Sequence, residues 1–158
     1  MKPSLPSSNN FWILSSAYRD SGVSTLAMIR THSYSGHAVL PCVFLFFRSI
    51  ELSLKAVLVF HGVSENDITR KLGHRISELI ARAEKLHLLD TLGVERADRE
   101  LLDRFSNDYA DKHFEYADDW WSYPHLDDLH SLADRICEAV QVYLMDNDSL
   151  ASKHGVGA

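Results

Sequence analysis

Three charged side chains, Arg48, Glu51 and Lys55, interrupt the most apolar segment of the chain, "AVLPCVFLFFRSIELSLKAVLVFHG". On a helix that turns about 100° per residue, the three fall within roughly 60° of one another. Glu51 precedes Lys55 by four positions, the order in which a carboxylate and an ammonium pair best. Such a line of charges either contacts a polar ligand or forms the solvated edge of a central helix.

A histidine follows this line after a polar loop. His74 stands in "LGHRISELI", at the predicted start of a helix, where the free N–H groups favour an anion. We therefore expect one ligand-binding cleft, lined by Arg48, Glu51, Lys55 and His74. In this cleft Arg48 and Lys55 would contact a phosphate or carboxylate, and Glu51 would orient the two cations.

The elements that position these residues are predicted to be helices. Apolar residues recur three and four positions apart, and no segment shows a sustained alternation of period two. Five helices are expected, at about residues 10–28, 39–60, 74–88 and 97–112 and from about Pro124 onward. The predicted fold class is all-α, an up-and-down four-helix bundle with one additional short helix.

Details of this pattern predict how the helices pack. The strip of Ser49, Ser53 and Ala56 beside the charged line would let another helix approach the second helix closely. The first helix is expected to turn Phe11, Leu14, Tyr18 and Leu26 inward. Apolar residues three and four positions apart form a seam on the last helix, which predicts a bundle or dimer contact. The seam consists of Leu126, Leu129, Ala133, Ile136, Val140 and Tyr143.

Composition favours one soluble domain. A chain of 158 residues that is 46% hydrophobic can bury a continuous core, so residues 1–158 are predicted to be one domain with flexible tails at 1–9 and 147–158. The net charge of -6 is spread along the chain, which builds in no general attraction for nucleic acid. Cys42 and Cys137 fall in apolar helical patterns, as buried thiols of a reducing compartment do.

No membrane segment is predicted. The start of the chain lacks the apolar stretch of a signal peptide, and Arg48 ends the most apolar run before it is long enough to cross a bilayer. We therefore expect a cytoplasmic protein.

The stretch "IELSLKAVLVFHG", followed after the polar loop by "LGHRISELI", resembles the pattern of HEPN domains (higher eukaryotes and prokaryotes nucleotide-binding). In that family a helix with Glu and Lys, a Gly stop and a "GH-x-L/I-x-x-L" helix start recur in this order. The similarity is greatest over residues 47–86, and it extends to "FSNDYADKHFEYAD", which is similar to the Tyr-rich segment before the last helix of many members.

The resemblance implies a HEPN-like helical bundle that often dimerises. Its implied functions range over nucleotide binding, protein interaction and RNA cleavage in toxin systems. We therefore expect a homodimer whose partner is a nucleotide, an RNA or a protein such as a nucleotidyltransferase-like antitoxin. The predicted function is a binding or interaction module for a nucleotide or other anionic ligand, and the alternatives are a metal-independent endoribonuclease of the toxin type and a structural subunit.

The endoribonuclease alternative has its own candidate residues. RNases of the family use an Arg and a His four to six residues apart, because Arg holds the phosphate while His exchanges protons near neutral pH. Arg82 and His87 have this spacing, yet five helical steps separate them by roughly 140°. At the family's usual position, before the last helix, the candidates are Arg104, Tyr109 and His113, with Lys112 and Tyr116 beside them.

The sequence lacks the motifs that are typical of metal sites, phosphate loops and serine hydrolases. The sequence contains no His-x3-His or Cys-x2-Cys pair, no Gly-rich phosphate loop and no Gly-x-Ser-x-Gly nucleophile elbow, so neither a metal nor a cofactor is predicted. Trp120, Trp121 and Tyr123 form an aromatic group in acidic surroundings, which favours packing or a protein partner over nucleic acid.

Overall fold

The computed structural model describes residues 7–115 and 122–154, and all regular structure in these two ranges is helical. They contain six α-helices: α1 (Ser7–His32), α2 (Leu40–Phe60), α3 (Glu65–Asp67), α4 (Ile76–Lys85), α5 (Arg96–Ala110) and α6 (Leu126–His154). A 3-10 turn (Gly36–Val39) leads into α2, and a π-helical turn (Ile68–Leu72) continues α3. The predicted all-α class is confirmed, and the HEPN-like topology stays a prediction.

The five predicted helices correspond to α1, α2, α4, α5 and α6, with different ends. Residues 7–9 and 147–154 are helical, and the flexibility of these predicted tails stays a prediction. The helix predicted at residues 74–88 is shorter, because α4 ends at Lys85 and His87 takes a left-handed φ of 56°. α3 lies in a predicted loop, where the Ser64 hydroxyl accepts a hydrogen bond from the Asp67 amide and so caps the short helix.

α2 is the central element of the fold. It packs against α1, α6 and α4, and every side chain from residue 49 to residue 58 is buried. A helix buried on all sides must be apolar nearly all round, as α2 is. Glu51 and Lys55 therefore lie inside the protein and need partners there.

The small side chains of α2 contact α1, as their spacing predicts. The Ser15 hydroxyl donates a hydrogen bond to the backbone oxygen of Ser49 at 2.9 Å, and it lies 2.5 Å from the hydroxyl of Ser53. The prediction that Leu14 points inward is wrong, because this residue is 50% exposed. Leu14 lies about 100° around the helix from Ser15, so a contact of α1 through Ser15 turns Leu14 outward.

Cys42 and Cys137 are predicted to be buried thiols. Both cysteines are buried and free, and burial raises the pKa of the Cys42 thiol to about 11.

Among the described residues, no helix is both long and apolar enough to cross a bilayer.

α1 approaches α2 closely at Gly22. A Cβ atom at this position would lie 2.7 Å from Cε1 of Phe46. The Phe46 ring is fully buried and stacks on His130, so it has little room to move. We expect Gly22→Ala to lower the free energy of unfolding by about 1–3 kcal/mol, although alanine is the better helix former.

Urea unfolding measures this loss. Ser21→Ala is the matched control, because Ser21 is exposed on the same helix and its substitution is expected to change stability by less than about 0.5 kcal/mol. Equal stability of the two variants would show that α1 and α2 do not approach this closely at Gly22.

Candidate functional site

The carboxylate of Glu51 lies at the centre of a polar cluster. Arg48 Nη1 lies 2.8 Å from Oε1 and 2.9 Å from Oε2, and Lys55 Nζ lies 2.5 Å from Oε1. The Tyr109 hydroxyl donates a hydrogen bond to Oε2, and His74 Nδ1 lies 3.1 Å from the same oxygen. The structure thus brings together the four predicted ligand-binding residues, and it adds Tyr109.

Three separate parts of the chain form this cluster. α2 carries Arg48, Glu51 and Lys55 on one face, and the turn before α4 supplies His74. α5 supplies Tyr109, whose ring stacks on Phe47 of α2 with centroids 5.4 Å apart. The apolar contacts of α2 therefore fix the position of the polar groups.

Burial tests whether the charged line is a solvated edge of α2. The Glu51 side chain is fully buried, and Lys55 is only 5% exposed. A solvated helix edge is excluded, because a buried charge is stable only when partners replace its water. Glu51 has such partners on both carboxylate oxygens.

The surroundings change the pKa values of the cluster. Burial alone would raise the pKa of Glu51, but the charges of Lys55 and Arg48, together with hydrogen bonds, outweigh it and lower this pKa below its ordinary value. Burial and the Glu51 charge both raise the pKa of Tyr109. At neutral pH the cluster therefore holds an ionised Glu51 and a protonated Tyr109.

The charges of the cluster do not cancel. Arg48 and Lys55 are both cationic, whereas Glu51 is the one carboxylate that both of them contact. Glu51 holds Arg48 on one side, yet the Arg48 side chain keeps 25% of its surface exposed. A surplus of positive charge therefore reaches the surface of the protein at Arg48.

A cavity of about 180 Å³ opens at this point. It is lined by Tyr18, Phe44, Arg48, His74, Tyr109, Lys112 and Glu115. The Arg48 guanidinium carbon lies 5.9 Å from the centre of the Tyr18 ring. Glu51 is buried behind Arg48 and Tyr109 at one side of this space, the Glu51 cavity.

Lys112 and Glu115 reach the Glu51 cavity from the turn after α5. Lys112 has a left-handed φ of 62°, which reverses the chain at the end of the helix. Phe114, between the two residues, is buried and stacks on Phe47 with centroids 5.4 Å apart. The apolar contact of Phe114 anchors the turn, so the two charged side chains are held at the cavity mouth.

The predicted catalytic set does not meet in one place. Arg104 is exposed and lines a different cavity, of about 440 Å³, while Tyr109 is buried in the Glu51 cluster. His113 Nδ1 lies 3.2 Å from an oxygen of Asp108. Five positions separate Arg104 from Tyr109, and they point in different directions around α5.

The other predicted pair is also separate. Arg82 lines a surface cavity with Asp67 and Lys71, whereas His87 lines another cavity beyond the end of α4. Tyr116, Trp120 and Trp121, which the sequence also singles out, lie outside the described residues.

Residues 7–115 and 122–154 contain no group of three His, Cys, Asp or Glu side chains placed to hold a metal ion. Comparison of the chain with protein-family models, with curated proteins and with solved structures returns no match. The HEPN resemblance therefore stays a prediction from the sequence.

Glu51→Gln tests whether Glu51 stabilises the fold. The amide keeps the shape of the side chain but leaves Arg48 and Lys55 without a buried counter-charge. We expect the free energy of unfolding at pH 7 to fall by about 3–5 kcal/mol, as for a broken buried ion pair. Chemical denaturation measures this change, and Glu100→Gln, in an exposed pair with Arg96, is the control that should change little.

The effect of Glu51→Gln on the free energy of unfolding is expected to depend on pH. The folded-state pKa of Glu51 lies below its ordinary value of 4.5, so its contribution is complete above about pH 4.5 and is lost as the pH falls through the folded-state pKa. The stability difference between the parent and Glu51→Gln should therefore shrink in acid. A difference that stays constant from pH 7 down to pH 2 would contradict an ionised Glu51.

Proposed function

We propose that the chain is a HEPN-like binding module that holds a small anion, such as the phosphate group of a nucleotide, in the Glu51 cavity. One observation carries the proposal: two cations of α2 share one buried carboxylate, and the cavity opens at the exposed side of Arg48. An anion at this point would neutralise the surplus charge. The proposed assembly is a homodimer, as the HEPN resemblance implies.

Each residue has a defined role in this binding. Glu51 fixes the direction of Arg48, so that the guanidinium loses little further freedom when a ligand binds. Lys112 adds a second cation at the cavity mouth, and His74 adds an imidazole. Tyr18 and Phe44 form aromatic walls, against which the less polar part of a ligand can pack.

The size of the cavity limits what it can enclose. Its volume of about 180 Å³ is below the roughly 300–1,000 Å³ of sites that enclose a whole small molecule. A phosphate-sized group fits inside, and the remainder of a nucleotide would lie outside the cavity mouth. The charged group therefore supplies the main recognition.

The chemistry of the cluster favours binding over catalysis. The Tyr109 hydroxyl donates to Glu51, and its raised pKa keeps it protonated at neutral pH, so it is not a base. Lys55 is held against Glu51 in the interior. The polar groups of the cluster are thus engaged with one another, and they orient Arg48.

Lys112→Asn tests anion binding with little effect on the fold. Asparagine tolerates the left-handed φ of Lys112, and the change removes one cation from the cavity mouth. We expect sulfate, phosphate and AMP each to bind the parent protein, and Lys112→Asn to weaken this binding about tenfold, the effect of one lost charged hydrogen bond. Isothermal titration calorimetry measures both affinities.

The matched control is Arg82→Gln, which removes an exposed cation that lines a different cavity. It should leave the affinities unchanged. An equal loss in both variants would indicate a general effect of net charge, and no binding of any of the three anions would contradict the proposed function.

A second function, metal-independent cleavage of RNA, is favoured by one separate observation. Arg104, Tyr123 and His125 line the same cavity of about 440 Å³ between α5 and the start of α6. Asp128 lies 3.8 Å from Nδ1 of His125 and can orient the ring. Arg104 would hold a phosphate, and His125 would exchange a proton with the ribose hydroxyl or the leaving oxygen.

Cleavage of total RNA in EDTA tests this second function. His125→Ala is expected to slow cleavage by about 100-fold or more, the usual contribution of a general acid or base. His113→Ala is expected to keep full activity, because His113 does not line this cavity. Intact RNA with the parent protein would remove the second function, and loss of cleavage in His113→Ala alone would move the site to His113.

A further inference from the structure

One nitrogen of His74 has two competing neighbours. Nδ1 lies 3.1 Å from Arg48 Nη1 and 3.1 Å from Glu51 Oε2. A ring nitrogen without a proton accepts a hydrogen bond, and one with a proton donates it. His74 Nδ1 can therefore bond to Arg48 or to Glu51, but it cannot form both bonds at once.

The two protonation states arrange the cluster differently. In the neutral ring that carries its proton on Nε2, Nδ1 accepts a hydrogen bond from Arg48 and forms none with the nearby Glu51 oxygen. With the ring fully protonated, Nδ1 donates to Glu51, and an N–H group of Arg48 is released from His74. Protonation therefore adds a positive charge at the Glu51 cavity and removes one of the three acceptors that Arg48 Nη1 contacts.

We propose that an oxyanion enters the Glu51 cavity together with one proton, which His74 takes up. This inference rests on the anion-binding function proposed above, and it adds regulation by pH to that site. The ligand class is a compact tetrahedral oxyanion, because the charge is concentrated and the cavity is small. The His74 side chain is 51% exposed, so the proton can come directly from solvent.

The charges around His74 explain why the anion brings the proton. α2 presents Arg48 and Glu51, α5 presents the ring of Tyr109, and the turn after α5 presents Lys112 and Glu115. With Lys55 behind Glu51, three cations face two carboxylates, which leaves one positive charge in excess while the cavity holds no anion. A dianion more than offsets this excess and so favours the imidazolium.

The proposal fixes the sign of the pH dependence. The complex binds more protons than the free protein, so affinity rises as the pH falls. Sulfate is the suitable probe, because it stays a dianion between pH 5.5 and 8.5 and so any change in affinity comes from the protein. This window spans the range in which histidine side chains exchange protons.

Calorimetric titration with sulfate at pH 5.5, 7.0 and 8.5 tests the coupling. We expect the parent protein to bind sulfate about tenfold more tightly at pH 5.5 than at pH 8.5. In His74→Asn the amide does not titrate, and this ratio should fall below about twofold. His113→Asn is the matched control, because it removes another imidazole of the same region, next to Lys112 in the chain, and it should keep the tenfold ratio.

A second measurement does not depend on the variants. The ring-proton chemical shift of His74 follows its titration directly by NMR, and saturating sulfate should raise the midpoint by about one pH unit, equivalent to the tenfold change in affinity. An unmoved midpoint, or an unchanged pH dependence in a folded His74→Asn, would overturn the proposal. Sulfate binding that is equal at all pH values would overturn it too and leave the binding function standing, whereas no sulfate binding at any pH would overturn both.

Discussion

The buried carboxylate of Glu51 is the constraint on which the rest of the site depends. A charge in the interior of a helical protein must be matched by donors within hydrogen-bonding distance, or the folded state loses several kcal/mol. α2 supplies two of these donors itself, at positions three before and four after Glu51. The others come from α5 and from the turn before α4, so the polar cluster also ties these parts of the chain to α2.

The apolar packing of α2 and this polar cluster support each other. Phe47, one turn before Glu51, stacks on both Tyr109 and Phe114. The first contact aims the Tyr109 hydroxyl at the carboxylate, and the second anchors the turn that carries Lys112. On the opposite side, hydroxyl contacts with α1 fill the space beside Ser49 and Ser53. The position of the cavity therefore follows from the core and not from a flexible loop.

Sequence periodicity predicts the central part of this arrangement. The spacing of Arg48, Glu51 and Lys55 places them on one helix face, and the apolar character of the segment predicts its central position. The burial of Glu51 does not follow from that spacing, because it depends on Tyr109, which is 58 positions away. Nor does spacing predict that Tyr18 lies at the cavity, since its place depends on how α1 packs on α2 around Ser15 and Gly22.

The failures of prediction also have physical causes. Leu14 is apolar, so the spacing of apolar residues predicts that it points inward. Small residues instead decide which face of α1 contacts α2, and they turn Leu14 outward. Arg104 and His113 lie near one another in the sequence, but the rotation of α5 separates Arg104 from Tyr109, and a turn carries His113 toward Asp108. α3 is too short to show a period, and one hydroxyl cap defines its start.

The placement of Lys112 and Glu115 has a consequence for how such a site can change over evolution. The inner half of the Glu51 cavity is built from core residues of α2 and α5, where a substitution also costs stability. The outer half stands on a turn whose anchor is a different residue, Phe114, so the two charged positions can change with little effect on the fold. Proteins with this core can therefore acquire preferences for ligands of different charge through the turn alone, while the buried ion pair stays the same.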